Sequence, residues 1–365
     1  MKDRIQAYRS RVTTVSWGWL LTNPRAAWRI ARGFFRGLVL RKNTLKSVDI
    51  LSTFDCQARC TMCSVAKFRR ESGPPLTLDQ YRSLADQAAG LGAVSAIFLG
   101  GEPLLQDDLC ELVRIFSARG FFVSVVSNGI AVTEPLIRRL REAGLRAMFL
   151  SLESLDEEVN DRLRGHPGQC RKVQEAVRIG KEQGLTVGIC TVFVPGETER
   201  LQGVLGYCRE NGLRAFLAPL ARVGKAQDMD GNTDDSYEEL MSVLKQHPNA
   251  TVDWACSYFL RPRCPAGKEK LAITCYGHVM GCCLNHISFG NVRDEPLQRI
   301  WERATKFSAY RDAPDRCLAA FDQQYRRDIL APIARLPHSP VAYTDHPAIT
   351  PSTEPDLFPQ DQEPR

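Results

Sequence analysis

From residue 47 onward, short apolar runs alternate with segments whose apolar positions recur every three or four residues. The runs "VDILSTF" (48–54), "AIFL" (96–99), "FFVSVVS" (121–127), "RAMFLSL" (146–152), "LTVGICTVFV" (185–194) and "LRAFLAPL" (213–220) have the length and composition of strands. The segments 76–92, 107–120, 133–144, 170–184 and 198–212 have helical periodicity and end at Gly or Arg-Gly, Ala-Gly or Asn-Gly steps. Six β units, with a helix after each of the first five, predict a parallel sheet curved into a barrel or part of one. In such folds the chemistry sits on the loops that follow the strands.

The pattern changes on both sides of this core. Asn23-Pro24 predicts a helix start, with Asn as cap and Pro at the first position. Arg25, Arg29, Arg32 and Arg36 then share one face, and Trp28, Ala31, Phe34, Phe35, Leu38 and Val39 occupy much of the rest. This basic amphipathic helix has two expected placements. It lies in a membrane interface through residues 23–42, or it packs on the protein body with its arginines toward solvent, an arrangement that Gly33 and Gly37 favour by weakening an isolated helix. After the core, the acidic stretch 223–255 reads as a linker or crossing. Residues 256–330 are poor in periodicity and rich in cysteine, as in a small domain organised by a metal centre. From Pro332 to the end lie eight of the chain's 21 prolines, so 331–365 is expected to be a disordered tail.

Charge sharpens the division. The 365-residue chain carries a net +6, yet residues 1–46 hold 11 Lys/Arg against one acid, Asp3. The remainder is mildly acidic, which argues against a nucleic-acid-binding core and for a basic extension (1–46) on an enzyme body (47–222). No apolar run is long enough to span a bilayer. Thirteen cysteines, an odd number in tight groups and without a secretory signal, suit a reducing cytoplasmic compartment, with peripheral membrane contact as the alternative placement.

The cysteines carry the chemistry. Cys56, Cys60 and Cys63 follow the first strand at C-x3-C-x2-C spacing. Three thiolates on one loop suit a cubane iron–sulfur cluster whose fourth iron stays open. A zinc site completed by a distant residue, or buried structural thiols, are the alternatives.

This loop resembles the signature of the radical S-adenosylmethionine (radical SAM) superfamily, and further motifs across 48–222 resemble it in the right order. "FLGGEPLL" is similar to the family's GGEP motif, and places Gly100, Gly101, Glu102 and Pro103 at the cofactor, with Glu102 facing the methionine ammonium. "SNG" offers Ser127 and Asn128 to the methionine carboxylate or ribose. "LSLES" offers Ser151 and Glu153 to the ribose or carboxylate, and Arg164 stands where relatives place a basic residue. Met62 occupies a position that more often holds an aromatic against adenine, and a thioether packs there as well. The resemblance implies a [4Fe–4S] cluster whose open iron chelates S-adenosylmethionine. It implies reductive cleavage to a 5′-deoxyadenosyl radical, hydrogen abstraction from an unidentified substrate (peptide, sugar-like or lipid-linked), and an electron donor such as flavodoxin or ferredoxin.

"CPAGKEKLAITCYGHVMGCCLNHISFGNVRDEPLQRIW" (264–301) resembles the SPASM extension or its shorter twitch form. Cys264, Cys282 and Cys317 are the auxiliary-cluster ligands this implies, with Cys283, Cys275 or Cys256 as fourth ligand or an open site. The implied fold is α/β, a partial (β/α)6 TIM-like barrel with a small C-terminal cysteine-rich domain. The other function weighed is a catalytically inactive zinc- or cluster-binding regulatory protein on the same fold. Cys110, Cys170, Cys190 and Cys208 fall on helix or strand periodicity and read as buried structural thiols.

Overall fold

The structure is a computed structural model, and it describes residues 17–68, 71, 73–229, 235–255, 257–311 and 314–358. The chain begins with α1 (Trp17–Leu21) and α2 (Pro24–Leu38). Asn23 caps α2 by accepting from the Ala26 amide at 3.2 Å, with Pro24 in the first turn. Then come β1 (Ser47–Thr53), β2 (Ser95–Gly100), β3 (Phe122–Ser127), β4 (Leu145–Ser151), β5 (Thr186–Phe193) and β6 (Arg214–Pro219). All six pair in chain order and in parallel. Helices α3 (Leu78–Gly90), α4 (Leu109–Ala118), α5 (Glu134–Ala143), α6 (Glu157–Arg164), α7 (Gln169–Glu182) and α8 (Thr198–Glu210) cross between them. Helix α6, in the polar "EEVNDRLR", was not apparent from apolar periodicity. Its start is fixed by Asp156, which accepts from the Val159 amide, and its end by Gly165 at φ +63°.

Three expectations need correction. The stretch 223–255 is not a plain linker: it contains α9 (Asp235–Gln246) and β7 (Ala250–Thr251), which adds a parallel strand beside β6. Leu240, Val243 and Leu244 join the main core, which outweighs the local acidity. The cysteine-rich region is not set apart either. Its β8 (Lys270–Thr274) pairs in parallel with β1, and β9 (His278–Cys282) and β10 (Asn285–Asn291) continue antiparallel. One eleven-stranded sheet therefore runs through both parts, followed by α10 (Leu297–Lys306).

The tail is the third correction. Residues 331–358 are ordered against the body, and β11 (Val341–Ala342) closes the far edge of the sheet beside β10. Few apolar side chains are needed there because each is well placed. Ile333 and Val341 are buried, and the Phe358 ring lies 5.4 Å from that of Phe307. His346, 1% exposed, faces the Ile329 carbonyl at 2.8 Å through Nε2 and accepts from the Ala348 amide through Nδ1. The prolines shape turns here rather than preventing packing. Residues 359–365 of the expected tail lie outside the described residues.

Candidate functional site

The three-cysteine loop leaves the C-terminal end of β1 and is clamped by backbone from three other loops. After β2, the Gly101 amide donates to Thr53 O and the Glu102 amide to Asp55 O, both at 2.7 Å. A Cβ on Gly101 would sit 2.2 Å from Asp55 O. After α6, the amides of Arg59 and Thr61 donate to the carbonyls of Arg164 (3.2 Å) and Leu163 (2.9 Å). After β6, the Lys225 amide donates to Cys63 O at 3.0 Å, and a Cβ on Gly224 would meet that oxygen at 2.3 Å. The glycines of the GGEP motif thus let one loop backbone lie on another, a use the sequence reading had assigned to the cofactor. Gly224 was missed because a lone Gly in a polar stretch carries no signal by itself.

Glu102 is fully buried. Its Oε2 accepts from the Asn128 amide at 2.7 Å and its Oε1 from the Leu104 amide at 3.1 Å. Burial raises its pKa, and those two amides, Ser127 and Arg164 pull the other way. In this structure the carboxylate ties β2 to the loop after β3. Asn128 in turn directs Nδ2 at Cys56 Sγ (3.6 Å) and accepts from the Ile130 amide through Oδ1. Ser127 accepts from the Gly129 amide.

Glu153 is also occupied. Its Oε2 accepts from the Val192 amide (2.8 Å) and the Thr191 hydroxyl (3.2 Å), and its Oε1 pairs with Arg164 at 3.2 Å. Arg200 adds a second cation at 3.5 Å. A carboxylate with this many partners, 1% exposed, positions β4 and β5 and has little capacity left for a ribose. Arg164 couples it to the cysteines. Its Nε is buried with no hydrogen-bond partner, and although burial alone would lower its pKa, Cys60, Glu153, Cys56 and Cys63 raise it.

Two buried amides that the sequence reading did not single out hold the cofactor-side loops together. Gln169 donates through Nε2 to Asn128 O (2.7 Å) and Ser151 O (2.8 Å). Asn160 donates to Gln169 Oε1 (2.5 Å) and accepts from the Glu153 amide (2.9 Å). Sequence offers no cue for them, since Gln and Asn on helices are ordinarily solvent-facing.

The loop cysteines lie within electrostatic reach of one another. Burial pushes up the Cys56 and Cys63 thiols, and each is raised further by its cysteine neighbours. Soft thiolates need a metal to take that charge. No three His, Cys, Asp or Glu side chains among the described residues converge as a single-ion site would require.

The second trio is built alike. The backbone amides of Leu318 and Ala266 near Cys264, and of Ala320 and Ala319 near Cys317, favour the thiolates. Cys282 Sγ accepts from Asn285 Nδ2 at 3.0 Å, and the nearby Leu284 amide also favours its thiolate. Burial is the main cause of the rise in all three thiols, bringing Cys282 to about 12, and repulsion from neighbouring cysteines adds to it at Cys282 and Cys317. Amides aimed at sulfur are what tune a bound cluster. Tyr310 and Tyr325 pack beside the trio, and Gly267 and Gly281 leave room for the Tyr310 ring. Cys283 is placed with Asp49 and Lys270 instead, and Cys275 beside Glu71, Asp55 and Arg293. Cys256 lies outside the described residues.

One cavity of about 360 Å³ runs from the cysteine loop to the second trio. Met62 and Ser64 line one side and Cys264, Cys282 and Cys317 the other. Its walls are mostly apolar and include Cys190, which is therefore a lumen residue and not only a structural thiol. Met62 packs with Leu220 and Ala226. The charged lining is Asp49, Lys270 and Asp253, with Lys270 Nζ 3.3 Å from Asp49 and 2.5 Å from Asp253.

Comparison with known proteins agrees with this arrangement. Residues 50–206 match the Radical SAM superfamily, and residues 264–321 match SPASM, an iron-sulfur cluster-binding domain. The chain belongs to the radical SAM superfamily and carries a SPASM domain. It is 25% identical over 292 residues to the AdoMet-dependent heme synthase of Methanosarcina barkeri, covering 71% of this chain and 83% of that protein. It is 28% identical over 287 residues to the PqqA peptide cyclase of Xanthomonas euvesicatoria pv. vesicatoria, covering 73% and 76%. Among solved structures, Streptococcus suis SuiB bound to precursor peptide SuiA superposes with a TM-score of 0.59 at 19% identity, covering 75% of this chain and 68% of that one. Native anSMEcpe with bound AdoMet gives 0.55 at 17%, covering 70% and 80%. These structures share the fold. The radical SAM domain brings a [4Fe–4S] cluster and S-adenosylmethionine, and the SPASM domain an auxiliary cluster.

Proposed function

We propose that the enzyme reductively cleaves S-adenosylmethionine and abstracts hydrogen from a substrate held in the lumen between its two cysteine trios. The single observation that carries this is the shared cavity, lined at one side by the cysteine loop and at the other by Cys264, Cys282 and Cys317. When bound, the first cluster and S-adenosylmethionine supply a 5′-deoxyadenosyl radical. Cys56, Cys60 and Cys63 would hold that cluster. Gly100, Gly101, Pro103, Ser127, Asn128 and Ser151 frame the cofactor's place, with Met62 against its base. Glu102 and Glu153 act one step back, by holding those loops in register. The apolar walls exclude water from the reacting atoms. Cys264, Cys282 and Cys317 would hold the auxiliary cluster. A peptide is the favoured substrate class, because relatives named for a peptide cyclase and a precursor peptide share this sequence or fold. An electron donor such as flavodoxin or ferredoxin supplies the electron. Where in the cell this chemistry runs depends on the N-terminal helix rather than on the barrel.

The test is anaerobic reconstitution followed by a 5′-deoxyadenosine assay. Cys56→Ala/Cys60→Ala/Cys63→Ala abolishes product, and persistence of cleavage in that variant rejects the proposal. Candidate peptides are then ranked by the rise they cause in 5′-deoxyadenosine and by a mass change in the peptide itself.

A further inference from the structure

Helix α2 packs the opposite way round from an ordinary amphipathic helix. Its buried positions are Ala26, Arg29, Gly33 and Gly37. Arg29, 7% exposed, donates to the carbonyls of Ala93 (2.5 Å), Gly120 (3.1 Å) and Arg119. Tyr258 lies across the two glycines, so that a Cβ on Gly33 would be 2.5 Å from its Cζ. Gly33 and Gly37, expected only to weaken the helix, are its docking surface. The packing face is therefore small and cationic, and the arginines are not all turned to solvent.

The aromatic face is left outside. Trp28 is 68% exposed and Phe35 55%, with Leu38, Val39 and Leu40 beside them and Leu21 of α1 at 85%. Six of the nine strongly exposed large apolar side chains among the described residues lie between Leu21 and Leu40, so this exposure is concentrated and not scattered. Exposed Arg25, Arg32, Arg41 and Lys42 accompany them, and residues 17–46 contain no acid.

We infer that this face docks on an anionic lipid surface. Aromatic and aliphatic side chains accompanied by cations match the boundary between headgroups and acyl chains, where the chains take the apolar groups and phosphates take the cations. A second copy of the chain is a poor occupant. A two-fold contact sets this patch against itself, and so places the exposed Arg25, Arg32, Arg41 and Lys42 against the same four cations of the second copy. No helix among the described residues is long and apolar enough to cross a membrane, so the contact is peripheral.

The docking also fixes an orientation. Ala93 and Gly120 precede β2 and β3, so α2 covers the N-terminal end of the sheet. The cysteine loop leaves the C-terminal end, about 20 Å away along a six-residue strand. The cofactor loops face away from the bilayer, and S-adenosylmethionine cleavage proceeds equally with and without membrane.

The experiment is co-sedimentation of the full-length protein with vesicles of about 30% phosphatidylglycerol in phosphatidylcholine, and with phosphatidylcholine alone, at low and high salt. The anionic vesicles are expected to bind at least about tenfold more strongly, and salt to weaken the binding. Trp28→Ala/Phe35→Ala lowers partitioning at least about tenfold, while the melting temperature and 5′-deoxyadenosine formation stay at wild-type values. Arg25→Glu/Arg32→Glu removes the preference for anionic lipid by a second route. Failure to sediment with anionic vesicles overturns the inference, as does undiminished binding by both variants. A wild-type dimer in light scattering that Trp28→Ala/Phe35→Ala splits also overturns it, as does patch-dependent capture of an acidic polypeptide without lipid binding. None of these outcomes bears on S-adenosylmethionine cleavage, which is assayed separately.

Discussion

Gln169 gives the sharpest test of how the site is held. Its side chain is fully buried, donates to the Asn128 and Ser151 carbonyls, and accepts from Asn160. Gln169→Ala removes all three bonds and leaves two carbonyls and one amide N–H without these partners. Each orphaned group costs about 1–3 kcal/mol when water cannot replace the partner, and one or two are expected to be rehydrated through the space left behind. The expected loss is therefore about 3–5 kcal/mol of unfolding free energy. Gln169→Glu should be at least as damaging at neutral pH, because a carboxylate oxygen then faces two carbonyls in a buried place. Denaturant unfolding under anaerobic conditions measures the total. Hydrogen exchange at residues 128–130 and 151–154 shows where the loss falls, and the S-adenosylmethionine KM reports the loops. A stability loss under about 1 kcal/mol with unchanged exchange would mean that the amide pair is not what couples β3 to β4.

Other consequences follow from the same geometry. Gly224→Ala must place a Cβ against Cys63 O at φ +61°, so iron content and 5′-deoxyadenosine formation should fall at least about tenfold by their respective assays, with a melting-temperature change too small to explain it. Iron analysis of the reconstituted enzyme should give about eight irons per chain; Cys264→Ala or Cys282→Ala should lower this to about four, and Cys283→Ala should leave it unchanged. His286 is buried edge-on to Phe68, and burial lowers its pKa to about 4 from 6.5. The unfolded chain binds the proton first, so stability present above pH 6.5 should be lost as pH falls toward 4, by about 3 kcal/mol at most. His286→Asn should flatten that part of a stability–pH curve.

How much of this was legible depended on whether the signal was local. Periodicity located β1 to β6 to within two residues, because a strand buried on both faces and a helix with one buried stripe each leave a repeating mark. The three-cysteine loop stood out for a similar reason, since it repeats one residue type at short spacing. The linker and the tail were misread because composition averages over a segment. In 331–358 a handful of residues, among them Ile333, Val341, His346 and Phe358, do the anchoring, and their polar and proline neighbours hide them.

The carboxylates have a structural task that the sequence did not reveal, for a different physical reason. Glu102 and Glu153 stand in motifs at strand ends, and position alone argued for direct contact with the cofactor. A carboxylate that is 0–1% exposed must first satisfy its own lone pairs, and both do so with backbone amides from neighbouring loops. The same demand explains why glycines and buried amides matter here. Three loops must approach the cysteine loop within hydrogen-bond distance, so bulk is removed at Gly101 and Gly224, and polar groups are paired at Gln169 and Asn160. Preorganisation of a site of this kind is carried by residues that touch each other rather than the cofactor, and no single position among them has a distinctive sequence pattern. The arginine-bearing helix shows the converse: Arg29 finds three backbone carbonyls, while Trp28 and Phe35 stay exposed.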